Sequence, residues 1–485
     1  MNIAFFQFSS NTMHFAASLE ILMAEDLNNK VFYSIWGGKT KYLERRASGF
    51  KTLAPFKLLK PFKLIKAANA AVITNSKFEF DEKWVSGRLQ EFEHQISKLD
   101  GLDDLQRLKC GDLNPSSALA NEVVSMTKFR DADLSRVRIQ IRMLLRSYLE
   151  VYSATSIFLK KNRIDKVHLY NGRFIHERAV WDCVKAHGLE ISLFEVMRDR
   201  FLQRAEGFHD RIINQRIMKS HWLESEKTLE EKIEIGSRYF SELRSKSNPF
   251  LKTKTSPLKI EKPYFVYFTN SDDEAVGFWE VWGEKLGSQI QCVVQLQKYF
   301  ENQNDKILVI RIHPNLLNKS KKAIEVWAQL TPTSNSLIIG PGDEISSYEL
   351  LDGAKGSISF GSTLSLESAF AGVPGLVLAD CAYDELGAVD KFSSWQEVYT
   401  WVENVSELPQ TEIDRRKINS CIRGYYLATY GLSFGYTKLL HREWGSWDAV
   451  SFLGNRIARH RVFDLLMLIK LKVKHHKYLI EMESA

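Results

Sequence analysis

From residue 264 to residue 379 the chain alternates short apolar runs with amphipathic stretches, and this alternation restricts the fold more than any other feature. Residues 264–269 (YFVYFT), 307–312, 336–339, 356–360 and 375–379 read as strands. Residues 287–302, 318–329, 345–353 and 363–371 lie between them with helical spacing. Strand–helix–strand units of this length build parallel sheets with crossover helices. The pattern also occurs earlier. A strand at 2–7 runs into SSNT, which caps a helix through Ala24. Strands at 31–38, 167–170 and 191–197 follow, with a helix at 175–187 closed by Gly188. Residues 80–160 keep helical period throughout. The Lys-, Ser- and Pro-rich stretch 244–262 reads as a linker. The expectation is α/β: a domain over 1–245 with a helical insertion, a second over 246–440, and a basic helical segment over 441–485. Amphipathic helices are expected at 394–405 and 412–431.

A length of 485 residues suits two domains, and 44% hydrophobic content with 12% aromatics supplies ordinary cores and excludes a disordered chain. The net charge of +7 fits a phosphorylated ligand or an anionic membrane surface. It does not argue for nucleic acid, and no recognised nucleic-acid module is present. Cysteines at 110, 183, 292, 381 and 421 show no metal-ligand spacing, and no metal is expected. Cys183 and Cys292 sit in apolar helical pattern and read as reduced core residues. The start MNIAFFQF has no basic leader, and no window nears the roughly eighteen apolar residues of a spanning helix. A cytoplasmic location is expected. FKLLKPFKLIK (56–66) and the basic, apolar-faced stretch 456–478 suit peripheral contact with the inner face of an anionic membrane. A solvated basic face is the alternative.

Two segments carry the chemistry. The run 307–310 ends in Arg311, His313 and Pro314. The short strand 357–360 breaks at Gly361 and opens a helix with Ser362 and Thr363. The first N–H groups of a helix have no internal partner, so this start can hold an anion. His313 can donate a hydrogen bond to a phosphate, and Arg311, two residues back on the same side, can neutralise one. Ordinary capping and a salt bridge are the structural alternatives. Glu367, one turn after Thr363, can reach a ribose hydroxyl or simply favour the helix dipole.

RIHPN (311–315) followed by FGSTLSLESAFAG resembles bacterial capsule and O-antigen glycosyltransferases of the GT-B fold. It is most similar to those with HP and Ser/Thr nucleotide motifs, such as retaining Kdo transferases. LYNGRFIHERA (169–179), FEV (194–196) and YFTNSDDE (267–274) are similar to further capsule-biosynthesis patterns. The resemblance spans roughly 165–200 and 264–440. It implies two Rossmann-like domains facing across a cleft, with extra helices. It implies a nucleotide-sugar donor as co-substrate, with CMP-Kdo leading and UDP- and GDP-sugars open, and no bound cofactor. It implies a surface-polysaccharide or lipid-linked glycan acceptor. Donor contacts fall on Arg311, His313, Gly361, Ser362, Thr363 and Glu367. Asp272, Asp273 and Glu274 become candidate catalytic carboxylates with His313, Asp273 leading, or the solvated cap of a following helix. Asn171, Arg173, Glu195 and His14 become acceptor-side residues. Tyr383, Asp384 and Glu385 either hold the sugar or form a surface loop. A polyol-phosphate transferase, a sugar-nucleotide epimerase and a non-catalytic glycan-binding assembly protein are the alternatives.

Overall fold

A computed structural model describes residues 1–8, 12–26, 28–35, 70–74, 79–127, 133–197, 200–205, 208, 210–245, 260–270, 285–434, 450–452 and 455–457. The chain forms two compact units. One comprises Met1–Val123, Asp131–Glu206 and Gly431–Ala485, and the other Val124–Arg130 and Gly207–Tyr430.

The first unit is built on β1 (Asn2–Gln7), β2 (Lys30–Ile35), β3 (Ala71–Thr74), β4 (Lys166–Tyr170), β5 (Glu190–Met197) and β6 (Arg200–Arg204). Their spatial order is β6-β5-β4-β1-β2-β3. All neighbours are parallel except β5 and β6. Ile3, Ala4, Phe5 and Phe6 of β1 are all buried. A central parallel strand is covered on both faces, so its sequence runs apolar without alternation. The stretch expected to be helical over 80–160 divides into helices Glu82–Ile96, Leu102–Gln106, Ser116–Thr127 and Arg138–Asn162. Gly101, Gly111 and Pro115 stand at the interruptions, where helix formation is unfavourable.

The second unit is built on β7 (Tyr264–Phe268), β8 (Ile307–Arg311), β9 (Ser336–Ile339), β10 (Gly356–Ser359), β11 (Gly375–Val377) and β12 (Asp390–Lys391). The order is β12-β11-β10-β7-β8-β9, parallel throughout. Period-two alternation sorts its side chains. Phe265, Tyr267, Leu308 and Ile310 pack with Cys292, Leu296 and Phe300 of helix Gln289–Glu301 and with Trp401 of helix Trp395–Asn404. Tyr264, Val266, Phe268 and Val309 pack on the other face with Leu350 and Leu351 of helix Ser347–Asp352. In each unit the strand order reverses at the first strand, between β1 and β4 and between β7 and β10. Open α/β sheets bind ligands outside the carboxyl ends of their strands at such a reversal. Cys183 and Cys292 are fully buried.

Two expected boundaries move. Helices Arg211–Glu224 and Leu229–Arg244 belong to the second unit, so the division falls at 207 rather than 245. Their apolar faces meet helix Gln410–Thr429 through Trp222, Ile233, Cys421 and Tyr425. Residues 431–434 return to the first unit. There β13 (Leu432–Ser433) pairs antiparallel with β6, and the Arg200 guanidinium donates to the Gly431 carbonyl at 2.8 Å. Phe434 packs on Phe201 with ring centroids 5.3 Å apart. Within the segment expected to be helical, β14 (Val450–Phe452) and β15 (Asn455–Ile457) form an antiparallel pair instead. The β-branched Val450 and Ile457 favour strand, and Gly454 interrupts any helical period. The stretch 56–66 and residues beyond 457 lie outside the described residues. Among the described residues no helix is long and apolar enough to cross a membrane.

Candidate functional site

At the reversal of the second unit, Asn270 follows β7 and ties it to β10. Its side-chain Nδ2 donates to the Phe360 carbonyl at 2.7 Å. Its backbone N–H donates to Oε1 of the buried Gln289 at 2.6 Å. Thr269 performs the equivalent task toward β8. Its N–H donates to the Arg311 carbonyl at 3.1 Å, and its Oγ1 accepts the His313 N–H at 2.8 Å. His313 caps the short 3-10 helix Pro314–Asn318, its Nδ1 accepting the Asn315 N–H at 3.1 Å. An Nδ1 that accepts leaves the proton of the neutral ring on Nε2, which is therefore a donor.

Beyond β10, Gly361 takes φ +91°, and a Cβ there would stand 3.1 Å from Cys381 Cβ. Ser362 caps helix Thr363–Phe370, accepting the Leu364 N–H at 3.4 Å. The Ser362 N–H donates to Ser359 Oγ at 3.0 Å, which also accepts the Ser365 hydroxyl at 2.9 Å. Tyr383, buried, donates its hydroxyl to the Ser362 carbonyl. Thr363 is exposed and Ser362 partly exposed. The glycine turn and hydroxyl-bearing helix start expected from sequence thus stand beside the end of β7, braced by Ser359 and Tyr383.

Two expected donor contacts take other partners. Arg311 is 4% exposed and donates to the Gly340 carbonyl and, at 3.2 Å, to the Asp343 carbonyl. Burial pushes its pKa down, with Asp343 opposing. Arg311 therefore fastens β8 to the turn after β9. Glu367 is buried within the run 365–369 and accepts the Tyr348 hydroxyl at 2.5 Å. Burial pushes its carboxyl up, opposed by hydrogen bonds from Tyr348 and Thr363.

In the 383–385 loop Tyr383 and Asp384 are buried, whereas Glu385 is exposed and pairs with Arg211 at 3.1 Å. The fully buried Asp384 carboxylate accepts from Arg211 at 2.9 Å and from Gln215 at 2.6 Å, and is paired with Lys391. Asp380 pairs with the same lysine at 2.6 Å. The brace pins helix Arg211–Glu224 to the loop after β11. Asp272, Asp273 and Glu274 lie outside the described residues. Among the described residues no group of three or more His, Cys, Asp or Glu could hold a metal ion.

In the first unit, Asn171, Arg173, Glu195 and His14 come together at the carboxyl ends of β4 and β5. Glu195 accepts Tyr170 Oη at 2.7 Å, Asn171 Nδ2 at 2.5 Å and the Val196 N–H at 3.0 Å. Burial pushes its carboxyl up, and the bonds from Asn171 and Tyr170 oppose that. Asn171 Oδ1 accepts the Arg173 N–H at 2.9 Å. Arg173 Nε donates to Asn121 at 2.9 Å. The His14 ring stacks on Tyr170 at 3.6 Å between centroids. Gly172, at φ +73°, is required because a Cβ would lie 2.2 Å from the Trp181 ring. The expectation missed Tyr170 and Asn121. Tyr170 ends an apolar strand directly before NGR, a readable signal, whereas Asn121 reaches the cluster from a helix 52 positions away.

No protein-family model matches the chain, and a comparison with curated proteins finds no relative. Among solved structures the chain is similar to the beta Kdo 2,4 transferase of Thermosulfurimonas dismutans KpsC, at 12% identity over 48% of this chain and 75% of that one, TM-score 0.36. It is similar to the beta Kdo 2,7 transferase of the same protein at 11% identity, over 65% and 89%, TM-score 0.34. It is also similar to the UDP-GlcNAc 2-epimerase of Neisseria meningitidis bound to UDP-GlcNAc, at 10% identity over 88% and 97%, TM-score 0.30. These are distant likenesses of outline.

Proposed function

We propose that the chain is a GT-B glycosyltransferase of bacterial surface-polysaccharide assembly, moving a sugar from a nucleotide-sugar donor to a glycan or lipid-linked glycan acceptor. One observation carries the reading. At the strand reversal of the second unit, the Gly361–Ser362 turn and its helix start flank the β7 end, and His313 carries its ring proton on Nε2 at the neighbouring β8 end. Helix N–H groups and an imidazole donor suit a phosphate that gains charge as its bond to the sugar breaks. In the proposed reaction an acceptor hydroxyl forms the new bond to the anomeric carbon. The bond from that carbon to the nucleotide phosphate breaks, and its electron pair leaves with the phosphate. A carboxylate of the 272–274 run takes the acceptor proton, or attacks first if configuration is retained. CMP-Kdo or another CMP-linked sugar is the leading donor. Asn171, Arg173, Glu195 and His14 serve the acceptor, and peripheral contact with the inner membrane face suits a lipid-linked one.

The test is a thermal-shift series with CMP, CDP, UMP, UDP, GDP and dTDP on the wild type and on His313→Ala. A ligand that binds only the folded chain raises the melting temperature as its concentration passes Kd. Stabilisation by one base, lost in the variant, is the expected result. Silence with every nucleotide overturns the donor site. Product analysis with and without acceptor then separates transfer from epimerisation.

A further inference from the structure

The Asn270 side chain has one half committed and one half unpaired among the described residues. Nδ2 is fixed as the donor to the Phe360 carbonyl, because a carbonyl accepts only from the amide nitrogen. The amide orientation follows, and Oδ1 is left as the acceptor. That oxygen is buried and takes no hydrogen bond among the described residues. An unsatisfied buried acceptor costs on the order of 1–3 kcal/mol, and at the reversal between β7 and β10 a donor supplied by a bound ligand would satisfy it.

We propose that Asn270 is a specificity-determining residue that reads an O–H or N–H donor on the nucleoside part of the ligand. The inference rests on the nucleotide reading above. Phosphate oxygens are acceptors and carry negative charge, so Oδ1 repels them and is useless in the phosphate cradle. Around the same reversal the helix start at Thr363 and the His313 ring offer donors and Asn270 offers an acceptor. The pair divides the ligand into an anionic end and a donor-bearing end. The donor is a ribose hydroxyl or a base N–H. A site built to hydrogen-bond such a group rejects an analogue that lacks it, because its own polar atom is left unpaired.

Calorimetric titration with CMP, UMP, CDP, UDP, their 2′-deoxy and 3′-deoxy forms, inorganic phosphate and inorganic pyrophosphate tests this on the full chain. In Asn270→Ala, nucleotide affinity falls about tenfold or more while phosphate and pyrophosphate affinity changes less than about twofold. In the wild type one ligand change costs a similar factor. Loss on removing a hydroxyl names the ribose, and a difference between CDP and UDP alone names the base. The same change costs nothing further in Asn270→Ala. Should the alanine variant fail to fold, the wild-type series decides: equal affinity for every nucleotide and its deoxy form overturns the inference. Equal losses for pyrophosphate and nucleotide in Asn270→Ala, or no ligand change cancelled by the variant, overturn the inference while leaving the nucleotide site standing. No binding of any nucleotide to the wild type overturns both.

Discussion

Tyr348 and Thr363 hold Glu367 by hydrogen bonds inside the second unit, where burial raises its pKa above the ordinary 4.5. The folded state therefore binds this proton more tightly than the unfolded state does. Its contribution to stability is full below about pH 4.5 and is lost as the pH rises through the folded pKa. Glu367→Gln removes the buried charge and keeps an acceptor for Tyr348. The expected outcome is a melting temperature about 2–4 °C above wild type at pH 8, with the gain disappearing by pH 4. A scanning fluorimetry series across that range checks it, and a lower melting temperature at pH 8 counts against the reading. At this scale the placing of His313 at a strand end and of Ser362 and Thr363 at a helix start was legible because strand end, glycine break and hydroxyl cap lie close together in sequence. Asn270 was not, since its partner Phe360 lies 90 positions away and only the sheet order brings them together. The brace from Tyr383 to Ser362, 21 positions apart, was hidden for the same reason, and helical spacing placed Glu367 near a cap without saying whether it faces inward.

Helices Leu229–Arg244 and Gln410–Thr429 approach closely through two glycines. A Cβ on Gly424 would stand 2.6 Å from the Gly236 carbonyl, and one on Gly236 would stand 2.6 Å from the Cys421 carbonyl. Alanine at 424 gains about 1 kcal/mol of helix propensity and meets backbone that cannot give way. Gly424→Ala is expected to destabilise by about 1–3 kcal/mol, read as a lower urea midpoint with unchanged slope. The buried brace on the neighbouring helix is more sensitive. Removing Asp384 takes a fully buried carboxylate from Arg211 and Lys391, which keep Glu385 at 3.1 Å and Asp380 at 2.6 Å respectively. Asp384→Ala is expected to cost about 2–3 kcal/mol, measured by the same titration, and Asp384→Asn less. Most parallel strands were readable because a strand covered on both faces is a short apolar run. β6 was missed because RFLQR has charged ends and little apolar content. The helices at 211–244 were left undefined because their covered faces answer to a helix nearly two hundred residues onward, information that local period does not contain.

At the scale of the whole molecule the two units differ in continuity. The second draws all six strands from one stretch, 207–430, whereas the first is completed only by residues after 430. A fragment of 207–430 is expected to unfold cooperatively in urea. A fragment of 1–206 lacks β13 and Phe434, so it exposes the outer edge of β6 together with Phe201, and sheet edges left bare invite pairing with other chains. Size-exclusion chromatography of the two fragments checks this, with a monomer expected from the first and aggregates from the second. The return of β13 also sets an order of events on the ribosome. At roughly 5–20 residues per second, the edge of β6 waits tens of seconds after it is made before its last neighbour emerges. Through that interval the nascent N-terminal sheet has an unguarded side, and a chaperone or the pace of translation must cover it. A stop codon or proteolytic cut just before residue 431 would make that interval permanent, leaving a complete second sheet attached to a first that never closes.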